Sequence, residues 1–419
     1  MVRRLRKFLP PVAVALTLVG CGVQPGVVGL SGRPIQASGV VKNKVDQSRT
    51  VVQLRFRDRP QLEALAAAGV DLFENVDLQA GTVDASVTSQ TLPILKRLNV
   101  TYRVKQSAEQ LGAAELPAGY KTVEQALAEV NAVANANPGF MRLVRYGTSL
   151  EGNPLVALRI TAHPEQRLPA VRIMSGTHAR EMPTVELNLR LVKLLADGYN
   201  KDATITRLIN ERDIYLIAMV NPDGRKRVEG GASMWRKNTR PLGGGVFGVD
   251  LNRNGDDHFE QGNNNPSSDS YRGTAPFSEP ESDAIRKLCD EVRFKLSMDI
   301  HCYAGMILWP PGYSGEYTPD EGAFRAIGDR IAKPLGYKAG TIARTIYRTF
   351  GDLATWEYNK YRTLAFAAEL NSGSFAPRYG QVEKDWDAWR DHLLYLIDVA
   401  GNPKAEHRQD GKMIGFTRF

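Results

Sequence analysis

The chain has 419 residues, 42% of them hydrophobic and 24% charged, with a formal net charge of +8. That length holds one large domain plus a smaller one, and that balance is globular rather than disordered. Beyond the first seven residues there is no long Lys/Arg run, so the basicity belongs to the surface and argues against a nucleic-acid partner.

Arg3, Arg4, Arg6 and Lys7 precede a mostly apolar stretch at residues 12–19. The stretch is too short to span a bilayer as a helix, and the pattern reads as a secretory signal. It ends Leu18-Val19-Gly20-Cys21, which resembles a bacterial lipoprotein cleavage box. Residues 1–21 are therefore expected to be a signal peptide with lipid on Cys21, anchoring the chain outside the cytoplasm at the cell envelope. Residues 22–47, rich in Gly, Val, Ser and Pro, read as a flexible tether. Cys289 and Cys302 lie in apolar surroundings and are expected to be buried free thiols.

Residues 48–105 read as strand 51–56, helix 60–68, strand 70–76, strand 82–87, helix 91–98 and strand 100–104. That order is β-α-β-β-α-β, the split βαβ or ferredoxin-like pattern. Residues 106–116 look like a connector. From residue 117 to 402 helices and strands alternate: helix 123–134, strands 155–160, 170–174 and 214–220, helix 280–292, and strands 294–300 and 364–370. Trp386, Trp389, Leu393 and Ile397 mark a last helix with one apolar face. The expected fold class is α/β, a mixed, mostly parallel twisted sheet flanked by helices. Residues 403–419 form a tail.

His178 and Glu181, in Gly176-Thr177-His178-Ala179-Arg180-Glu181, are answered by His301 in Met298-Asp299-Ile300-His301-Cys302-Tyr303. A His-x-x-Glu pair alone is a weak signal. Its context strengthens it: strand 170–174, a turn, then Pro183 at the first helical position. The pair thus sits at the carboxyl end of a strand, where open α/β sheets place their sites. Two His and one carboxylate suit zinc and leave a position open, the pattern of a catalytic site. Glu369 is the one charge in an apolar strand, so it needs a metal or cation nearby.

Six segments in order resemble the zinc carboxypeptidases of the A/B type: His178–Glu181, Met234-Trp235-Arg236-Lys237, Gly248-Val249-Asp250-Leu251-Asn252-Arg253-Asn254, Asp299–Tyr303, Thr345-Ile346-Tyr347 and Phe366-Ala367-Ala368-Glu369-Leu370. The resemblance covers about residues 117–400. It implies zinc held by His178, Glu181 and His301, with Glu369 as general base and Arg236 stabilising the oxyanion. It further implies Asn252 and Arg253 on the substrate's terminal carboxylate, Tyr347 closing over it, Arg180 lining the groove and Asp250 orienting a metal-bound histidine. Ala354 matches a position that is acidic in enzymes selective for basic residues, while Asp352 matches one that is acidic in enzymes of dual preference, so mixed apolar and basic cleavage is expected. Gly255 and Cys302 depart from the family pattern. The Asp/Asn-rich residues 255–270 carry no calcium-loop spacing.

The leading expectation is a monomeric carboxypeptidase acting on peptides with a free C-terminal carboxylate. The β-α-β-β-α-β segment resembles an inhibitory pro-segment, which would make the chain a zymogen released by cleavage in the connector. Two alternatives are a cell-wall peptidase acting on muropeptides and a catalytically silent peptide-binding module.

Overall fold

The computed structural model describes residues 49–112 and 116–408. The signal, the tether, part of the connector and the end of the tail lie outside these residues. Among the described residues no helix is long and apolar enough to cross a membrane.

The first elements are β1 (Thr50–Arg55), α1 (Arg59–Ala67), β2 (Asp71–Leu72), β3 (Thr82–Val87), α2 (Leu92–Arg97) and β4 (Thr101–Gln106). They form an antiparallel sheet in the order β2-β3-β1-β4. The expected β-α-β-β-α-β order is present, but β2 is only two residues long. Beyond it the Phe73 ring packs against Tyr303 and Phe375 of the larger part, while Asn75 bonds back to Asp84 on β3. Helix α3 (Ala108–Gly112) begins the connector.

The larger part runs α4 (Val123–Ala136), β5 (Met141–Thr148), β6 (Pro154–Ile160), β7 (Ala170–Ser175), α5 (Met182–Gly198), α6 (Ala203–Glu211), β8 (Asp213–Ile217), α7 (Pro222–Glu229), α8 (Pro280–Val292), β9 (Leu296–Cys302), β10 (Met306–Trp309), α9 (Glu321–Leu335), β11 (Lys338–Thr341), α10 (Ile342–Thr345), α11 (Leu353–Tyr361), β12 (Leu364–Leu370) and α12 (Gly380–Val399). Eight strands form one mixed sheet, β11-β10-β12-β9-β7-β8-β6-β5. Its centre, β12, β9, β7 and β8, is parallel. The expected strand over 214–220 stops at Ile217. Beyond it Asn221 caps α7, accepting from the Gly224 N–H at 2.9 Å.

The central strands are buried along their whole length, as helix-covered parallel strands must be. On α12, Trp389, Leu393 and Ile397 are fully buried, so the apolar face read from the sequence packs inward. Both thiols are free and buried. Cys289 takes part in a polar cluster inside the core. Arg172 on β7 donates to Cys289 Sγ and to Glu357 Oε2, both at 2.7 Å, and Ser297 donates to the same Glu357 oxygen at 2.7 Å. This cluster ties β7 and β9, the two strands that lead to the metal-ligand candidates, to α8 and α11.

Removing one partner of a buried ion pair leaves a charge without compensation, at a cost of roughly 3–5 kcal/mol. Arg172→Met is expected to lose that much stability in denaturant unfolding. Arg172→Met/Glu357→Leu should recover most of it. A single variant as stable as the parent would show that the pair does not anchor β7.

Candidate metal centre and active site

His178 stands in the loop between β7 and α5, Glu181 immediately precedes α5, and His301 is near the end of β9. Because β7 and β9 pair in parallel with Ser175 opposite Ile300, the loop after β7 meets His301. All three side chains are buried. His178 Nδ1 lies 2.7 Å from Glu181 Oε1, His301 Nδ1 lies 3.0 Å from Glu181 Oε2, and the two Nδ1 atoms are 3.1 Å apart. Among the described residues these are the His, Cys, Asp or Glu groups that converge as a metal-ligand set. Two ring nitrogens and a carboxylate at such distances call for a positive charge between them. Burial opposes charge on His301, yet Asp299 and Glu181 together hold its pKa well above the usual histidine value. Burial likewise opposes charge on Glu181, and His178 and His301 overcome it to hold that carboxyl well below its usual range. The donor set fits zinc with a coordination position left over for water.

The outer ring nitrogens face carboxylates. His178 Nε2 is 3.3 Å from Asp250 Oδ1, and His301 Nε2 is 3.0 Å from Asp299 Oδ2. Neither contact is an aligned hydrogen bond, so the carboxylates act on the rings mainly through charge. Sequence reasoning named Asp250 but missed Asp299. The signal was there: residues 299 and 301 are two apart on a strand and share a face.

Asp250 also serves the second half of the site. Its Oδ2 accepts from Arg236 Nε at 3.0 Å, and its Oδ1 accepts from the Asn252 N–H at 3.0 Å. Arg236 is fixed to the metal loop through its own carbonyl, which accepts from the Ala179 N–H at 3.0 Å. Asn252 and Arg253 lie in a short 3-10 turn that Asp250 caps. The turn abuts residue 351 closely. A Cβ on Gly351, which has φ +69°, would stand 2.2 Å from the Arg253 carbonyl oxygen, and one on Gly255 would stand 2.9 Å from the Gly351 oxygen. A side chain at residue 255 would therefore meet the Gly351 backbone.

A cavity of about 40 Å³ joins these groups: His178, His301, Asn252, Arg253, Asp352 and Glu369 all line it. Glu369 on β12 is in register with His301, and its Oε2 has no hydrogen-bond partner. Burial, then the charge of Glu74, pushes the Glu369 carboxyl well above its usual range. Asp352 is less free than the sequence implied. It caps α11, accepting from the Thr355 N–H at 2.9 Å, and accepts from the Thr349 hydroxyl at 2.8 Å.

Arg180 and Tyr347 do not face open space. Arg180 makes a two-pronged pair with Asp71 at 2.6 and 3.0 Å and lies over the rings of Phe73 and Phe375. The Tyr347 hydroxyl donates to the Leu72 carbonyl at 3.1 Å. Glu74 reaches the cavity itself, with Oε1 3.8 Å from Arg236 Nη1. Residues 71–74 thus fill the approach to the site. No pattern in that segment of sequence marked them for this position.

The comparisons with known proteins agree with this geometry. The family model described as zinc carboxypeptidase matches residues 126–391. Carboxypeptidase A2 of Mus musculus is 28% identical over 375 residues, covering 81% of this chain and 87% of the relative. Carboxypeptidase A1 of Rattus norvegicus is 30% identical over 303 residues, covering 68% of this chain and 71% of the relative. The solved structure of carboxypeptidase A from Helicoverpa armigera has a TM-score of 0.74 at 22% identity, covering 87% of this chain and 99% of that one. That likeness concerns the fold. Family model, relatives and buried His178–Glu181–His301 cluster together identify the chain as a member of the zinc carboxypeptidase family, a metallocarboxypeptidase.

Proposed function

We propose that the protein is a lipid-anchored, extracytoplasmic exopeptidase that removes single residues from the C-terminus of peptides. We further propose that residues 48–105 hold it latent. The observation that carries the reading is one cavity lined by His178 and His301, by Glu369 and by Arg253. A site with that lining suits a peptide bond near a free carboxylate.

Zinc held by His178, Glu181 and His301 would supply a Lewis acid that polarises a carbonyl and lowers the pKa of water. Glu369 holds and moves the proton, taking it from the attacking water and delivering it to the departing amine. Arg236, fixed by Asp250, presents its guanidinium to the developing oxyanion. Arg253 and Asn252 bind the terminal carboxylate, for which the planar guanidinium fork is suited. Tyr347 swings onto that carboxylate once Leu72 no longer holds its hydroxyl.

His178→Ala, Glu181→Ala and His301→Ala are each expected to abolish binding of one zinc per chain, read by elemental analysis. Glu369→Gln should keep the zinc and lose activity by several orders of magnitude. Full metal content in a ligand variant, or near-normal turnover in Glu369→Gln, contradicts the assignment.

The pocket wall supports the mixed preference: Ile342, Ile346 and Ala354 are apolar, and Asp352 adds an acid. Peptides ending in Leu and Lys are both expected to be cleaved, and a Leu amide poorly, because Arg253 is then buried without its anion. Asp352→Ala should lose Lys cleavage selectively. An unchanged Lys-to-Leu ratio removes Asp352 from specificity, and equal cleavage of the amide points to an endopeptidase.

Latency rests on Asp71 and Glu74. Asp71 engages Arg180, and Glu74 stands beside Arg236 with its other oxygen unpartnered. Glu74 so occupies ground that a substrate carbonyl needs. Nicking between Lys105 and Tyr120 is expected to raise activity and to move it from membrane to soluble fraction, since the lipid stays on Cys21. Asp71→Asn/Glu74→Gln should raise the activity of the uncut chain. Equal activity before and after nicking sinks the latency.

A further inference from the structure

We infer that Asp299, held by Thr177, is the positioning residue for the His301 ligand, so that each ligand histidine of this chain has its own carboxylate. The inference rests on the zinc-binding reading of the triad. The geometry is specific. Asp299 is buried on β9, on the same face as His301 and two residues before it. Thr177 donates its hydroxyl to the Asp299 carboxylate, 2.9 Å from Oδ2 and 3.1 Å from Oδ1. Oδ2 is also the oxygen 3.0 Å from His301 Nε2. Thr177 adjoins His178, so the one carboxylate connects the two chain segments that carry the histidines.

The charge environment separates Asp299 from Asp250. Asp250 has a cation in contact, Arg236 Nε at 3.0 Å. Among the described residues no Arg or Lys nitrogen is in contact with Asp299; the buried Arg172 acts on it through charge at longer range, and its one ionic contact is the His301 ring. A buried carboxylate without a cation is costly. Here the compensating charge arrives through His301. With a carboxylate against Nε2 the ring keeps its proton on that nitrogen, and the Nδ1 lone pair points at Glu181 and His178, where the metal is expected. An anionic partner also makes the ring a stronger donor. Outer partners of this kind typically change metal affinity by about 10–100-fold.

The test uses the full chain. Asp299→Asn keeps the shape and the Thr177 contact but removes the charge. Zinc affinity is measured by competition with a chelator, beside thermal unfolding of the zinc-depleted protein and the visible spectrum of the cobalt-loaded protein. The parent must bind one zinc, which tests the triad separately. Asp299→Asn is expected to bind zinc about 10–100-fold more weakly, with a changed cobalt spectrum and an unfolding midpoint close to the parent's. Thr177→Val should weaken zinc in the same direction by a smaller factor. If Asp299→Asn fails to fold, Thr177→Val decides alone. Zinc affinity within about twofold of the parent in the folded variant, with an unchanged cobalt spectrum, overturns the inference.

Discussion

Two imidazole nitrogens 3.1 Å apart, with a carboxylate against both, repel one another's lone pairs unless something positive lies among them. Burial removes water as the neutraliser. The cluster therefore needs a positive charge, a proton on a ring or a bound cation, and much of the surrounding structure serves that need. Asp250 and Asp299 stand behind the rings, Arg236 balances Asp250, and the Arg172–Glu357 pair fixes the two strands from below.

Parallel pairing converts this local chemistry into an active site. β7, β9 and β12 lie side by side, so a loop residue, a strand residue and Glu369 from three distant parts of the sequence reach the same carboxyl edge. Asp250 then links the halves, touching His178, Arg236 and the turn that carries Arg253. The small sheet exploits that arrangement. It sends Asp71 and Glu74, two carboxylates, toward Arg180 and Arg236.

The convergence of His178 with Glu181, the sheet centre and the strand bearing Glu369 were legible because their signals are local: a spacing of three before a helix, continuous apolar runs, a lone charge in a strand. The short strands β10 and β11 and the antiparallel β5 were not foreseen, because four-residue or half-exposed strands carry little periodicity. The role of Asp299 needed the register that brings Thr177 beside it. The engagement of Arg180 and Tyr347 by residues 71 and 72 depends on docking between two sheets, which no segment of sequence encodes alone. Asp352 carries a second task beside its expected one. The family resemblance made it a specificity residue, while the structure also gives it a local task as the cap of α11.

The central claim is that His178, Glu181 and His301 are built to hold zinc. Anomalous diffraction from crystals of the zinc-loaded chain, collected at the zinc edge, tests it most directly. One strong peak is expected about 2.0–2.1 Å from His178 Nδ1 and His301 Nδ1 and in contact with the Glu181 carboxylate. A peak at any other place, or none among these three side chains at full zinc loading, would contradict the account.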